Sequence, residues 1–180
     1  MATAPYTPPL RSAEPRGLCT DCGVSRMADA KACGRACQFI QPGYTGFEIR
    51  LHGRARDDQQ ADETHFGVFR RMIRASLSPA KAGAQWTGIA TTLGERLLSA
   101  GKVDAVLAVA PDQEDRWKPR PVIVTRAEDM SQCRGMRMGY SPLVALMEEV
   151  AARGFKRIAL IGIPCQVYAL RALEAEFGLE

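Results

Sequence analysis

Short, almost wholly apolar runs separated by helix-like stretches constrain this chain most. "DAVLAVAP", "RPVIVT" and "KRIALIGIP" each carry β-branched and aliphatic residues with few polar interruptions, the pattern of strands covered on both faces. Between and around them lie helix patterns. "THFGVFRRMIRAS" places Phe66, Phe69 and Ile73 among basic residues, which predicts a short amphipathic helix. "AQWTGIATTLGERLLSAG" spaces Trp86, Ile89, Ala90, Leu93 and Leu97 by threes and fours, predicting a helix with one buried face stopped by Gly101. "YSPLVALMEEVAARG" opens with Ser141 as N-cap and Pro142 in the first turn, and closes at Gly154. "CQVYALRALEAEFG" predicts a last helix with Val167, Leu170, Leu173 and Phe177 inward. The expected fold is α/β, a largely parallel sheet flanked by helices, with a cysteine-rich segment ahead of it.

A chain of 180 residues, 46% hydrophobic and 24% charged, suits one globular core plus a tail. The Pro-rich start, residues 1–17, reads as a disordered lead-in without the apolar centre of a secretory signal. Residues 18–60 form the cysteine-rich segment and 61–180 the α/β domain. The net charge of +4 comes from scattered basic residues, with no Lys/Arg block and no interleaved aromatics, so nucleic-acid binding is not expected. No apolar run reaches the ~18 residues of a membrane span. The chain therefore reads as cytoplasmic, where thiols stay reduced. The final "EAEFGLE" stops where an α/β chain would lay down another strand, which suggests a chain cut short.

Four of the six cysteines, Cys19, Cys22, Cys33 and Cys37, fall in "LCTDCGVSRMADAKACGRACQF". The pairs are C-x2-C and C-x3-C with a short arm between them, cramped for zinc but compatible with it. The run C-x2-C-x2-C-x3-C-P is absent, since Ser25 stands where its third cysteine would fall. Spacing alone leaves zinc and iron–sulfur level. Cys165, in "GIPC", begins a helix after a strand, where the macrodipole and free N–H groups favour a thiolate. Gly83, Gln85, Thr87, Gly88 and Thr91 surround a helix start that could cradle a phosphate, although their spacing matches neither the dinucleotide fingerprint nor the P-loop. "PDQEDRWKPRPV" is a polar link whose Trp117 could lie over a flat ligand. His52 and His65 lack metal-ligand spacing and read as surface or core residues.

Taken together, "CTDCG…ACQFIQP", "HGRARDDQQADETHFGVFR", "GAQWTGIATTLGERLL", "PDQEDRWKPRPVIV" and "GIPCQVYALRALE" resemble, in order, the family of coenzyme F420 hydrogenase/dehydrogenase beta subunits. Within it they are most similar to the pigment-reductase branch, which holds divinyl chlorophyllide a 8-vinyl reductase and 7-hydroxymethyl chlorophyll a reductase. The resemblance implies FAD and 4Fe-4S clusters on a longer chain. It implies metal ligation by Cys19, Cys22, Cys33, Cys37 and Cys165, the last sharing a cluster with cysteines beyond this chain's end. It implies cofactor contacts from Gly83, Gln85, Trp86, Thr87, Gly88, Thr91, Arg120 and Ser141. The implied activity is reduction of the 8-vinyl group of divinyl (proto)chlorophyllide, a tetrapyrrole, with ferredoxin as electron donor. No residue stands out as proton donor, and oligomeric state stays open, a homo-oligomer included. An electron-transfer beta subunit acting on deazaflavin coenzyme F420 is the first alternative, and a non-enzymatic zinc module the second.

Overall fold

The computed structural model describes residue 17, residues 19–137 and residues 139–178. The lead-in expected at 1–17 thus lies, apart from Gly17, outside the described residues.

A three-stranded sheet of order β2-β1-β3 positions everything else. Strand β1, Ala105–Pro111, runs through its centre, with β2, Pro119–Val124, on one side and β3, Ile158–Leu160, on the other. β1 alternates between two cores, as a strand covered on both faces must. Leu107 joins Leu143, Val144, Leu146, Met147, Val150, Ala169 and Leu173 on one face. Val106, Ala108 and Ala110 join Val122, Val124 and Met130 on the other.

The sheet is mixed, which corrects the expected largely parallel one. β1 and β2 pair antiparallel from Val106↔Val124 to Pro111↔Pro119, whereas β1 and β3 pair parallel from Ala105↔Ile158 to Leu107↔Leu160. The polar link 112–118 is too short for a crossover, which needs a dozen or more residues, so it folds as a hairpin loop. Its turn is built by the Asp112 carboxylate, which accepts the N–H groups of Glu114 at 3.0 Å and Asp115 at 3.3 Å. β3 is shorter than "KRIALIGIP" suggests and only half-buried, because the chain leaves the sheet after Leu160.

The helices depart from their expected faces in informative ways. α1, Ala32–Ala36, and α2, Tyr44–His52, precede α3, Ala61–Phe66. α3 stops at Gly67, so the predicted helix through Ile73 does not form, and Phe66, Met72 and Ile73 are exposed. α4 begins only at Ile89 and runs to Ser99. Its buried positions are Thr91 and Gly94, while Trp86 precedes it, 90% exposed, and Leu93 points outward. Gly94 sits so close to Met130 that the seam between α4 and the 3-10 helix Ala127–Cys133, not the leucine stripe, decides which face is inside.

Ser141 is not a helix N-cap: a 3-10 helix, Leu143–Leu146, starts after Pro142 and leads into α5, Met147–Ala152. α6, Pro164–Leu173, buries Gln166, Tyr168, Ala169 and Leu173, whereas Val167 is exposed and Phe177 lies in a following 3-10 helix. Tyr168 turns inward because its hydroxyl is used. It accepts the N–H of Gly43 and donates to the carbonyl of Gln41, both at 2.7 Å, and its ring meets Tyr44 and Phe47. Val24, Met27, Ala32 and Ala36 of the cysteine-rich segment join the same core as Leu107 and Leu173. Among the described residues, no helix is long and apolar enough to cross a membrane.

Candidate functional site

The cysteine-rich loop is seated on the Leu143–Leu146 helix by its backbone. The carbonyl of Cys22 accepts the N–H of Val144 at 2.9 Å. Gly23 adopts φ 115, and a Cβ there would meet the backbone nitrogen of Ala145 at 2.5 Å, so only glycine permits this approach. Asp21, itself at φ 50, holds the loop closed through the guanidinium of Arg26, with Nη2 to Oδ2 at 2.6 Å. Its own N–H points to Cys19 Sγ at 3.4 Å.

Cys165 is the second residue of α6, after Pro164, as the sequence predicts. Its sulfur lies 3.1 Å from the Thr20 hydroxyl oxygen, across 145 residues of chain. Burial pushes the Cys22 thiol up to about 12; a backbone hydrogen bond at Val24 works against that, and the thiols of Cys33, Cys165 and Cys19 add to it. Cys33, Cys165 and Cys19 thus lie within electrostatic reach of the Cys22 thiol. Cys37 is the C-cap of α1, where its carbonyl accepts the N–H groups of Ile40 and Gln41. All six cysteines are free thiols of intermediate exposure.

Among the described residues, no three His, Cys, Asp or Glu side chains are placed to hold one metal ion. A lone ion gathers its ligands within about 2.3 Å of one centre. An iron–sulfur cluster spreads its thiolates over several irons around a wider body.

A crevice opens at the sheet beside the start of α6. Its larger chamber, about 650 Å³, is lined by Gln85, Trp86, Thr87, Gly88 and Thr91 from the start of α4, by Val109 and Met130, and by Ile161 just after β3. Gly88 caps α4 at φ 89, and a Cβ there would press on those of Lys81 and Ala84 at 3.0 and 3.1 Å. Thr87 Oγ1 accepts the N–H of Leu77 at 3.1 Å, pinning the extended segment that brings Arg74 to the chamber wall. Trp86 stands over the mouth at φ 52, a conformation costly for an aromatic residue.

A smaller chamber, about 200 Å³, shares Val109, Gly135 and Ile161 with the first and is lined by Arg137, Ser141, Gly162 and Ile163. Of the predicted cofactor residues, Gln85 to Gly88 and Thr91 thus meet at one cavity and Ser141 at its neighbour. Gly83 lies in the loop ahead of them and Arg120 on β2 opposite Ala110. Sequence reasoning missed Thr20, Arg74 and Arg137, which no local spacing marks. Cys133 lines the larger chamber, and burial pushes its thiol up to about 11 against the pull of the Arg120 and Arg137 guanidiniums. His52 and His65 are exposed on α2 and α3, away from the thiols in sequence and in role.

Residues 72–148 match the model of the family described as coenzyme F420 hydrogenase/dehydrogenase, beta subunit N-terminal, so the resemblance read from the sequence blocks is borne out. An uncharacterised protein of Nostoc sp. (strain PCC 7120) is 37% identical over 91% of this chain and 41% of its own length. The 7-hydroxymethyl chlorophyll a reductase of Oryza sativa subsp. japonica, a chloroplastic protein, is 36% identical over 90% of this chain and 35% of its own. A subunit of the F(420)H(2) dehydrogenase of Methanosarcina mazei is 32% identical over 57% of this chain and 29% of its own. The chain spans about two-fifths of the first of these relatives and less of the others.

Proposed function

We propose that this chain is the cluster- and flavin-binding part of an iron–sulfur flavoprotein oxidoreductase that reduces a chlorophyll-type tetrapyrrole, with the 8-vinyl group of divinyl (proto)chlorophyllide as the reducible substituent and ferredoxin as the electron donor. The observation that carries the proposal is that Cys19, Cys33 and Cys165 all lie within electrostatic reach of Cys22, with Thr20 3.1 Å from Cys165 Sγ at the start of α6, while the residues leading into α6 also line the crevice. The similarity to a pigment reductase over 90% of this chain supports the substrate class.

In this reading Cys19, Cys22, Cys33 and Cys165 hold a 4Fe-4S cluster, and the larger chamber holds the ring system of FAD. Bound there, the two groups would turn electrons delivered singly into a transferable pair. The chain's own part is placement. Gly23 and the Cys22–Val144 hydrogen bond fix the thiols against the core. Ile163 and Gly162, just ahead of Cys165, form part of the crevice wall, so one turn of backbone separates the thiol group from the ligand space. Met130, Val109 and Ile161 give a flat ring an apolar floor and keep water from it. Cys133, with its raised affinity for its proton, stays a neutral thiol at the chamber wall. A cytoplasmic or other reducing setting fits thiols that must remain free.

Anaerobically purified full-length protein should be brown, carry iron with acid-labile sulfide, and release FAD on denaturation. Zinc with no sulfide would overturn the proposal in favour of a zinc module. The match to a family of beta subunits and to a subunit of F(420)H(2) dehydrogenase supports a second reading, electron transfer with deazaflavin coenzyme F420. Reduction of the deazaflavin but not of divinyl chlorophyllide by the loaded protein would select it.

A further inference from the structure

We propose that the smaller chamber is an anion subsite that takes the diphosphate of a dinucleotide whose ring system occupies the larger one. This rests on the flavin reading above and deepens it, since it moves the phosphates from the start of α4, where the sequence places them, to the start of α6.

Three independent features meet in that chamber. Ser141 is 3% exposed and lines the cavity, and its hydroxyl oxygen is buried with no hydrogen-bond partner. Its carbonyl, by contrast, is fully used, accepting the Gln166 side-chain amide at 2.7 Å and the N–H of Leu143 at 2.7 Å. The hydroxyl is thus held in place and left to find a partner, and a buried hydroxyl without one is costly.

Arg137 is the second feature. Its Nη1 donates to the Met136 carbonyl at 3.0 Å and its Nη2 to the Arg134 carbonyl at 3.2 Å, so the guanidinium is fixed by its own loop. Its Nε is buried and unpartnered. Among the described residues Arg137 has no carboxylate in an ion pair. Its guanidinium also lies near enough to act on the Cys133 thiol, which lines the larger chamber. Arg137, half-buried at the chamber wall and outside any ion pair among the described residues, calls for an anion.

The third is α6 itself, ten residues long, whose Gln166, together with Gly162 and the N-cap Ile163 that lead into it, forms part of the chamber wall. Its N-terminal dipole favours negative charge at that end. The 200 Å³ volume suits a phosphate-sized group rather than a ring system, and the shared wall of Val109, Gly135 and Ile161 makes the chambers one bent crevice. The apolar chamber then takes the flat part of the ligand and the cationic one its charge.

The test uses full-length protein stripped of flavin and titrated by fluorescence with FAD, riboflavin and ADP. Arg137→Met should weaken FAD by about 10- to 100-fold, the range for a lost hydrogen bond to a charged group, and Ser141→Ala by less. Riboflavin, which has no phosphate, should bind both variants as it binds the parent, which also reports that the fold is intact. ADP, a diphosphate without the flavin ring, should bind the parent, compete with FAD, and lose its affinity in Arg137→Met. Equal FAD affinity in parent and variants, or equal losses for FAD and riboflavin, would overturn the subsite. ADP binding that Arg137→Met abolishes supports it even in a protein that binds no riboflavin, where only the flavin reading falls. Failure of ADP to bind the parent would overturn it.

Discussion

Thr20 Oγ1 and Cys165 Sγ lie 3.1 Å apart, although 145 residues separate them in the chain. The contact joins the N-terminal cysteine loop to the start of α6. It also gives the Cys165 sulfur a hydrogen-bonding neighbour, and hydrogen bonds to cluster sulfurs raise reduction potentials. Thr20→Val should therefore keep its iron while shifting the cluster midpoint to a more negative value. Potentiometry followed by electron paramagnetic resonance reads this, and an unchanged midpoint would show that the hydroxyl does not act on the sulfur.

Gly23 carries the loop's closest approach. Gly23→Ala must move the backbone at Ala145 and Pro142 and also hold alanine at φ 115. The conformational strain alone costs about 1–3 kcal/mol. Chemical denaturation should show that loss, and iron content should fall with it because Cys22 moves too. Parental stability would mean that the loop does not sit against the Leu143–Leu146 helix.

Glu63 links acid sensitivity to α3. It is buried, and the Arg54 guanidinium, helped by the N–H of Asp57 at 2.8 Å, holds its carboxyl down to about 2. An unfolded glutamate titrates near 4.3. The folded value is depressed, so this pair stabilises the protein fully above the unfolded value and progressively less as pH falls from about 5 towards 2. Melting temperature should decline over that window, and Glu63→Gln should start lower and decline less. Parallel curves for the two proteins would contradict the assignment.

Asp104 should behave alike at the sheet. Its carboxylate accepts the N–H groups of Arg157 at 2.9 Å and Lys156 at 3.0 Å, tying the entry of β1 to that of β3, and these bonds, with the Arg157 guanidinium, hold its carboxyl down to about 2. Asp104→Ala should speed amide exchange at Ile158 to Leu160 more than at β2. Uniform exchange across the sheet would show that the anchor is not local.

What the sequence makes legible follows from range. β1 and β2 are readable because apolar runs and a short polar link are local signals, and so is the position of Cys165 behind Pro164. The antiparallel pairing was also available in the shortness of 112–118, which helix-strand alternation outweighed. The inward face of α4 was not readable: Thr91 and Gly94 turn inward because Met130 fills the space beside Gly94, a contact set by a residue far along the chain. Spacing groups Cys37 with Cys19, Cys22 and Cys33, since spacing sees only neighbours. The nearness of Cys165 to this loop is set instead by the fold, through the seating of the loop on the Leu143–Leu146 helix. Ser141 was legible as a residue that matters and not for its reason, because its unpartnered hydroxyl exists only once Gln166 has taken its carbonyl.

The central claim, that Cys165 completes a thiolate set with Cys19, Cys22 and Cys33, is tested most directly by iron and acid-labile sulfide per chain in anaerobically prepared full-length protein carrying Cys165→Ser or Cys37→Ser. The account predicts a loss of about four irons and their sulfide in Cys165→Ser, one 4Fe-4S cluster, and parental content in Cys37→Ser. The opposite pattern, loss with Cys37→Ser and none with Cys165→Ser, would contradict it and return the cluster to the N-terminal block alone.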